Sequence, residues 1–263
     1  MTEWTSVRIE RRGAVGELVL ARPERRNALD YAAVGEILEA LRTLDHDPDV
    51  ASVLMYGEGS SFCAGGDLAE FQRGLSTPAY DFHRTGEPWI ELMFVIPHMS
   101  KPVVVAVHGH TLAGGCGIVA TADVAIAAES SQLGTSEIKI GLFPIIVYPS
   151  LVKAIGARAA RELALTGRRV SAEEACRLGL VHRVVPDETL LDEARAVATD
   201  LATLGAHALT LGKWFIREVD ELPLDRATAF AQSVRGSFMT TPDFAEGLAA
   251  FAERRTPNFR DGR

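Results

Sequence analysis

The chain has 263 residues, 47% of them apolar and 24% charged, with a formal net charge of −8; these are the proportions of a globular protein, and the length fits one large domain or two small ones. The acidic balance, with no Lys/Arg cluster interleaved with aromatics, argues against a nucleic-acid partner. Cys63, Cys116 and Cys176 stand far apart with no paired spacing, which argues against disulfides and a metal centre. No apolar run reaches the ~18–20 residues of a membrane span and the N-terminus has no targeting pattern, so the expected location is the cytoplasm, without a membrane partner.

Residues 7–10 and 15–20 read as two strands of a hairpin around Arg12-Gly13. Asp30 is a candidate N-cap for a helix whose apolar positions, Val34, Ile37, Leu38, Leu41 and Leu44, recur at helical spacing and which Asp47-Pro48-Asp49 ends. A strand over 50–55 follows. Residues 68–100 mix helical stretches with Pro78, Gly86, Pro88 and Pro97 and read as a long, partly mobile excursion. The β-branched run 103–107 suits a parallel strand covered on both faces. A tightly packed helix over 114–122 and a short strand over 124–127 come next, so that strand, turn and helix repeat as in an α/β protein. From about residue 157 strands give way to helices over 159–166, 171–178, 190–204, 207–218, 224–238 and 243–254. A capping box at Ser171-Ala172-Glu173-Glu174 starts one of them and Thr241-Pro242 the last.

Two glycine-bearing turns follow apolar strands: Phe62-Cys63-Ala64-Gly65-Gly66-Asp67, and His108-Gly109-His110-Thr111-Leu112-Ala113-Gly114-Gly115-Cys116-Gly117. Glycine lets a ligand approach the main chain closely, and two backbone N–H groups aimed at one oxygen form an oxyanion hole. Gly114 would offer its amide at a helix N-terminus, aligned with the helix dipole, and Gly66 the second. The alternative is a pair of ordinary strand-to-helix connections. Gly115-Cys116-Gly117-Ile118-Val119-Ala120 also fits the GxGxxA form of a dinucleotide fingerprint. In that motif, however, the first glycine directly follows the strand, whereas here seven residues separate Val107 from Gly115.

The stretches Arg22-Pro23…Asn27-Ala28-Leu29, Phe62 to Leu68, Lys101-Pro102-Val103…Val107-His108-Gly109, Ala113-Gly114-Gly115-Cys116, Asp123, Ser136-Glu137-Ile138-Lys139-Ile140-Gly141, Ala164-Leu165-Thr166-Gly167 and Gly179-Leu180-Val181 occur in the order of the enoyl-CoA hydratase/isomerase (crotonase) family. Together they resemble that family over residues 7–260. The resemblance implies an α/β fold, a crotonase-like spiral of ββα repeats over 1–200. It also implies a helical C-terminal extension over 201–263, which would supply oligomer contacts, in a homotrimer or dimer of trimers, and part of the CoA site. It further implies acyl-CoA thioester substrates, an enolate held by the amides of Gly66 and Gly114, and no cofactor or metal, coenzyme A being part of the substrate.

In the hydratases of this family two glutamates usually flank the substrate. Glu137 matches the second, and its apolar surroundings, Leu133, Ile138, Ile140, Leu142 and Phe143, would raise its pKa toward a general acid/base value. Gly117 stands at the first, and Asp67, Tyr148 and residues of the 68–100 excursion are candidates for the group that takes its place. With the continuation to Val147, this glycine looks most similar to the pattern of bacterial methylglutaconyl-type enoyl-CoA hydratases. The resemblance places CoA recognition on Arg25, Arg26, Ala28, Ala64, Asp67 and Leu68, with Arg254 reaching CoA in a neighbouring subunit. His108, His110, Asp45 and Asp47 are read as structural or solvent residues. The leading expectation is hydration of the 2,3 double bond of an enoyl-CoA. A 3-enoyl to 2-enoyl isomerase using the same glutamate, and a non-catalytic acyl-CoA-binding or scaffold protein, are the alternatives.

Overall fold

A computed structural model describes residues 4–76, 78, 81 and 86–259. The hairpin of β1 (Val7–Arg12) and β2 (Val15–Leu20) turns at Gly13, whose φ of +61° suits glycine. Helix α1 (Tyr31–His46) starts where the Asp30 carboxylate accepts the Ala33 N–H at 2.8 Å, and it buries the expected apolar stripe. Strands β3 (Ser52–Gly57), β4 (Val103–Val107), β6 (Val124–Ala128) and β9 (Arg183–Val185) extend the hairpin into a sheet of order β1-β2-β3-β4-β6-β9, parallel from β2 onward. A smaller sheet holds β5 (His110–Leu112), β7 (Gln132–Gly134) and β8 (Val170–Ser171).

The chain passes repeatedly from the large sheet to the small one and then into a helix. Strands β4 and β5 lead to α4 (Gly114–Thr121), and β6 and β7 lead, through a 3-10 turn at Glu137–Ile140, to α5 (Tyr148–Thr166). One turn earlier, β3 leads to residues 61–63, which bridge to Gly109 and Thr111 of the small-sheet side, and then to α2 (Leu68–Gly74). These are the turns of a ββα spiral.

Both faces of the large sheet are covered, so β4 reads as unbroken apolar sequence. Val103, Val105 and Val107 pack into the main core with α1, α3 (Glu87–His98), α4 and α5, while Val104 and Ala106 face Leu190, Ala194, Ala198 and Ala202 of α7 (Leu190–Ala202). Fully buried Glu17 of β2 binds the Arg195 guanidinium of α7 through two bonds of 2.9 Å. Among the described residues the further α-helices are α6 (Ala172–Leu178), α8 (Ala206–Val219), α9 (Leu224–Met239) and α10 (Pro242–Glu253). Lys213 of α8 donates to the Ile96 and Lys101 carbonyls at 3.1 Å each and pairs with Asp123.

Several expectations are corrected. Strands do not end at 157, because β8 and β9 follow. The expected helix over 159–166 is the second part of α5, and a further helical stretch from Tyr148, not expected, precedes it across a kink at Gly156, with φ of +76°. The capping box is half formed: Ser171 accepts the Glu174 N–H at 3.2 Å, but the Glu174 carboxylate turns to Arg168. Within 68–100 lies α3, whose Trp89, Leu92, Met93 and Ile96 are buried, and the parts of the expected excursion at 77, 79–80 and 82–85 lie outside the described residues.

Candidate active site

The spiral zips the two glycine turns together. Cys63 pairs with Thr111, the Leu112 N–H donates to the Cys63 carbonyl at 2.9 Å, and the Phe62 and Cys63 N–H groups donate to the His108 and His110 carbonyls. Gly66 and Gly114 each lie three residues beyond that paired position, so the register brings them side by side. Contact is close enough to exclude side chains: a Cβ on Gly65 would stand 2.6 Å from the Ala113 Cβ, and one on Gly115 2.7 Å from the Cys63 Cβ.

Among the described residues both amides are left open. Leu29 bonds the Gly65 carbonyl and the Asp67 N–H, at 2.8 and 2.7 Å, as in a parallel bridge, which turns the N–H of Gly66 to the opposite side. The Gly65 N–H is taken by the Cys63 sulfur at 3.4 Å. Gly114 opens α4, where an N–H has no intrahelical acceptor. Among the described residues neither the Gly66 nor the Gly114 N–H has a partner. Ala113, just before Gly114, has φ 50° and ψ −120°, a conformation that costs an alanine about 1–3 kcal/mol and is held by its surroundings. Its N–H is fixed to the Gly134 carbonyl at 2.9 Å.

Glu137 begins the 3-10 turn after β7. Its Oε2 is buried and, among the described residues, has no hydrogen-bond partner. Burial pushes its pKa above the usual carboxylate range, and a bond from its own backbone N–H only partly opposes this. The carboxylate lies close enough to α4 that its charge adds to burial in pushing the Cys116 thiol up to about 12. The Glu137 carboxylate thus lies near Cys116, in the first turn of the helix that Gly114 opens.

The surroundings of Gly117 are apolar. A Cβ on Gly117 would meet the Met93 Sδ at 2.6 Å and Cε at 3.1 Å, and the Val147 Cγ2 at 3.2 Å. Of the residues considered for this place, the excursion supplies the occupant. Asp67 instead caps α2, accepting the Ala69 N–H at 2.9 Å, and pairs with Arg25 at 3.0 Å; Tyr148 packs on Phe143. Trp89, one turn before Met93 on α3, lies over Gly114, and Phe71 lies over Gly66. Sequence reasoning missed these three side chains. The spacing of 89, 92, 93 and 96 signals a helix, but Pro88 and Pro97 mask it. Pro88 sits at the start of α3, where proline is tolerated, and Pro97 lies in the last turn.

The residues expected to hold CoA form one strip. The Ala64 N–H donates to the Arg26 carbonyl at 2.9 Å, which lays 26–29 alongside 64–67. Asn27 cross-links the strip, donating to the Glu58 and Ser61 carbonyls while its oxygen accepts the Arg22 N–H. Ala28 and Ala64 are half-buried and Leu68 is exposed. Arg26 and Arg169 lie near His110, where their charges add to burial in lowering its pKa. Arg254 is exposed at the end of α10, away from any described partner side chain. His108 faces a different cavity of about 450 Å³, lined by Tyr56, Ser130 and Asp187, on the α7 side of the sheet, and its ring nitrogen bonds the Gly59 carbonyl.

The sequence of residues 10–262 matches the family model described as enoyl-CoA hydratase/isomerase. The chain belongs to the enoyl-CoA hydratase/isomerase family. A Mycobacterium tuberculosis member named "Probable enoyl-CoA hydratase echA8" is 37% identical over 97% of this chain and 98% of its own length. The crotonyl-CoA hydratase of Syntrophomonas wolfei is 33% identical over 97% and 98%. A crystal structure of an enoyl-CoA hydratase from Mycobacterium smegmatis superposes with a TM-score of 0.90 at 32% identity, covering 97% of this chain and 99% of that one. The ββα spiral is therefore the crotonase fold of this family.

Proposed function

We propose that the protein is an enoyl-CoA hydratase with one acid/base carboxylate, Glu137, and an oxyanion hole formed by the N–H groups of Gly66 and Gly114. The observation that carries the reading is the buried, unpartnered Oε2 of Glu137, close to the helix whose first amide is open. The thioester oxygen of a 2-enoyl-CoA would accept both N–H groups. Glu137 would take a proton from water as the water oxygen bonds to C3; the C2–C3 π electrons would move toward the thioester oxygen, giving an enolate. Glu137 would then return a proton to C2, so that water is added across the double bond and the carboxylate is regenerated. Each oxyanion donor of this kind is worth about 3 kcal/mol in the transition state.

CoA would run along 22–28 and 64–68, where the paired strips carry Arg25, Arg26, Ala28, Ala64, Asp67 and Leu68. In a trimer or dimer of trimers, the exposed apolar side chains of the C-terminal helices, including Leu224 and Phe251, would be covered and Arg254 brought to a neighbouring CoA.

Met93 at the place of a second carboxylate supports an additional reading, because one carboxylate is enough to move a proton between C4 and C2. Incubation with 3-enoyl-CoA in heavy-oxygen water separates the two. A hydratase that also isomerises gives a labelled 3-hydroxyacyl product, whereas an isomerase gives unlabelled 2-enoyl-CoA. Acyl-CoA binding with no turnover of any enoyl thioester would contradict both.

A further inference from the structure

Gly114 and Gly117 are three residues apart on α4 and share one face of that helix. A second pair covers this face, one residue to each glycine: Trp89 and Met93, one turn apart on α3. A Cβ on Gly114 would meet Trp89 Cζ3 at 3.1 Å, and a Cβ on Gly117 would meet Met93 Sδ at 2.6 Å. Val147, just before α5, closes the same space from another element. Met93 is only 6% exposed, and its sulfur stands closest to where a Gly117 side chain would begin.

A carbonyl oxygen on the Gly114 amide fixes where the next atoms of an acyl group run, because C2 is two bonds from that oxygen. The substituents on C2 would then lie toward the covered side of α4, where Gly117 and Met93 are one helical turn from Gly114. A thioether and a valine offer them no hydrogen bond and little room. We propose that Met93 is a specificity-determining residue of the acyl site: with Gly117 it fixes the space beside C2 and selects acyl groups unbranched at that carbon. The inference rests on the acyl-CoA reading above and adds the class of acyl group to it.

Saturated thioesters test it without turnover. Butyryl-CoA and isobutyryl-CoA share four acyl carbons, but only the second carries a branch at C2. Isothermal titration of the wild-type protein is expected to show about tenfold tighter binding of butyryl-CoA, the order of discrimination that one misplaced methyl group produces in an apolar pocket. Met93→Ala removes the sulfur and its methyl group and is expected to narrow that preference about fivefold or more, within the range a methyl-sized space commands. Met93→Leu, which keeps the volume, is expected to retain it. Where Met93→Ala unfolds, Met93→Val, which also shortens the side chain, takes its place. A wild-type protein without preference, or a preference unchanged in the shortened variant, overturns the assignment of Met93 and leaves the acyl-CoA reading standing. Failure of the wild type to bind either thioester overturns that reading, and the proposal with it.

Discussion

Gly65 rests on Ala113: a Cβ added to Gly65 would stand 2.6 Å from the Ala113 Cβ and 2.9 Å from the Leu112 carbonyl oxygen. The contact joins the two glycine turns directly, and everything assigned to the site depends on it. Gly65 also has φ of +93°, so Gly65→Ala meets both backbone strain and overpacking, each costing about 1–3 kcal/mol. The expected result is a melting temperature lower by several degrees, with acyl-CoA binding weakened in the folded fraction. Differential scanning calorimetry with and without butyryl-CoA reads both.

Ala113 gives the opposite sign. Its φ of 50° and ψ of −120° are adopted easily by glycine and reluctantly by alanine. Ala113→Gly is therefore expected to stabilise the fold by about 1 kcal/mol, while the looser backbone aims the Gly114 amide less well. A rise in melting temperature together with a fall in kcat at unchanged butyryl-CoA affinity would show strain held in order to orient that amide.

Glu137 predicts a pH-dependent stability difference. A carboxyl whose folded pKa lies above its unfolded value contributes most at low pH, where it is protonated in both states, and that contribution is lost as pH rises through the folded value. Glu137→Gln has no charge to bury. The variant is expected to melt above the wild type at about pH 7.5, with the difference closing toward about pH 4, near the unfolded carboxylate value. Paired melting curves across that range check the sign.

Lys213 links α8 to the wall of the site. Its ammonium group is nearly buried, pairs with Asp123, and holds the Ile96 carbonyl at the end of α3, one turn after Met93. Lys213→Met leaves the Asp123 carboxylate and two carbonyls without this donor, a loss expected to cost about 3 kcal/mol. Chemical denaturation measures it.

Much of this arrangement is legible in the sequence because it is local. The Asp30 cap, the valine run of β4 and the two glycine turns announce themselves in neighbouring residues, and the order of motifs points to the family. Strands of two or three residues, such as β5, β7, β8 and β9, carry too few side chains for a period to show. A single isolated bridge from Cys63 to Thr111 of β5, equally invisible as a period, aligns the two glycine turns. The occupant of the space at Gly117 is non-local in the same way. Met93 is 24 residues away in sequence, on a helix whose two prolines hide its apolar stripe, and only the packing of α3 on α4 brings it there.

The claim that Glu137 is the single acid/base group meets its most direct test in the turnover of crotonyl-CoA by Glu137→Gln, measured with butyryl-CoA affinity on the same preparation. Loss of kcat by about 10²–10⁴-fold, the contribution of a positioned proton-transfer group, with butyryl-CoA affinity retained, is the expected result. A folded, thioester-binding variant that hydrates crotonyl-CoA at the wild-type rate would contradict the account.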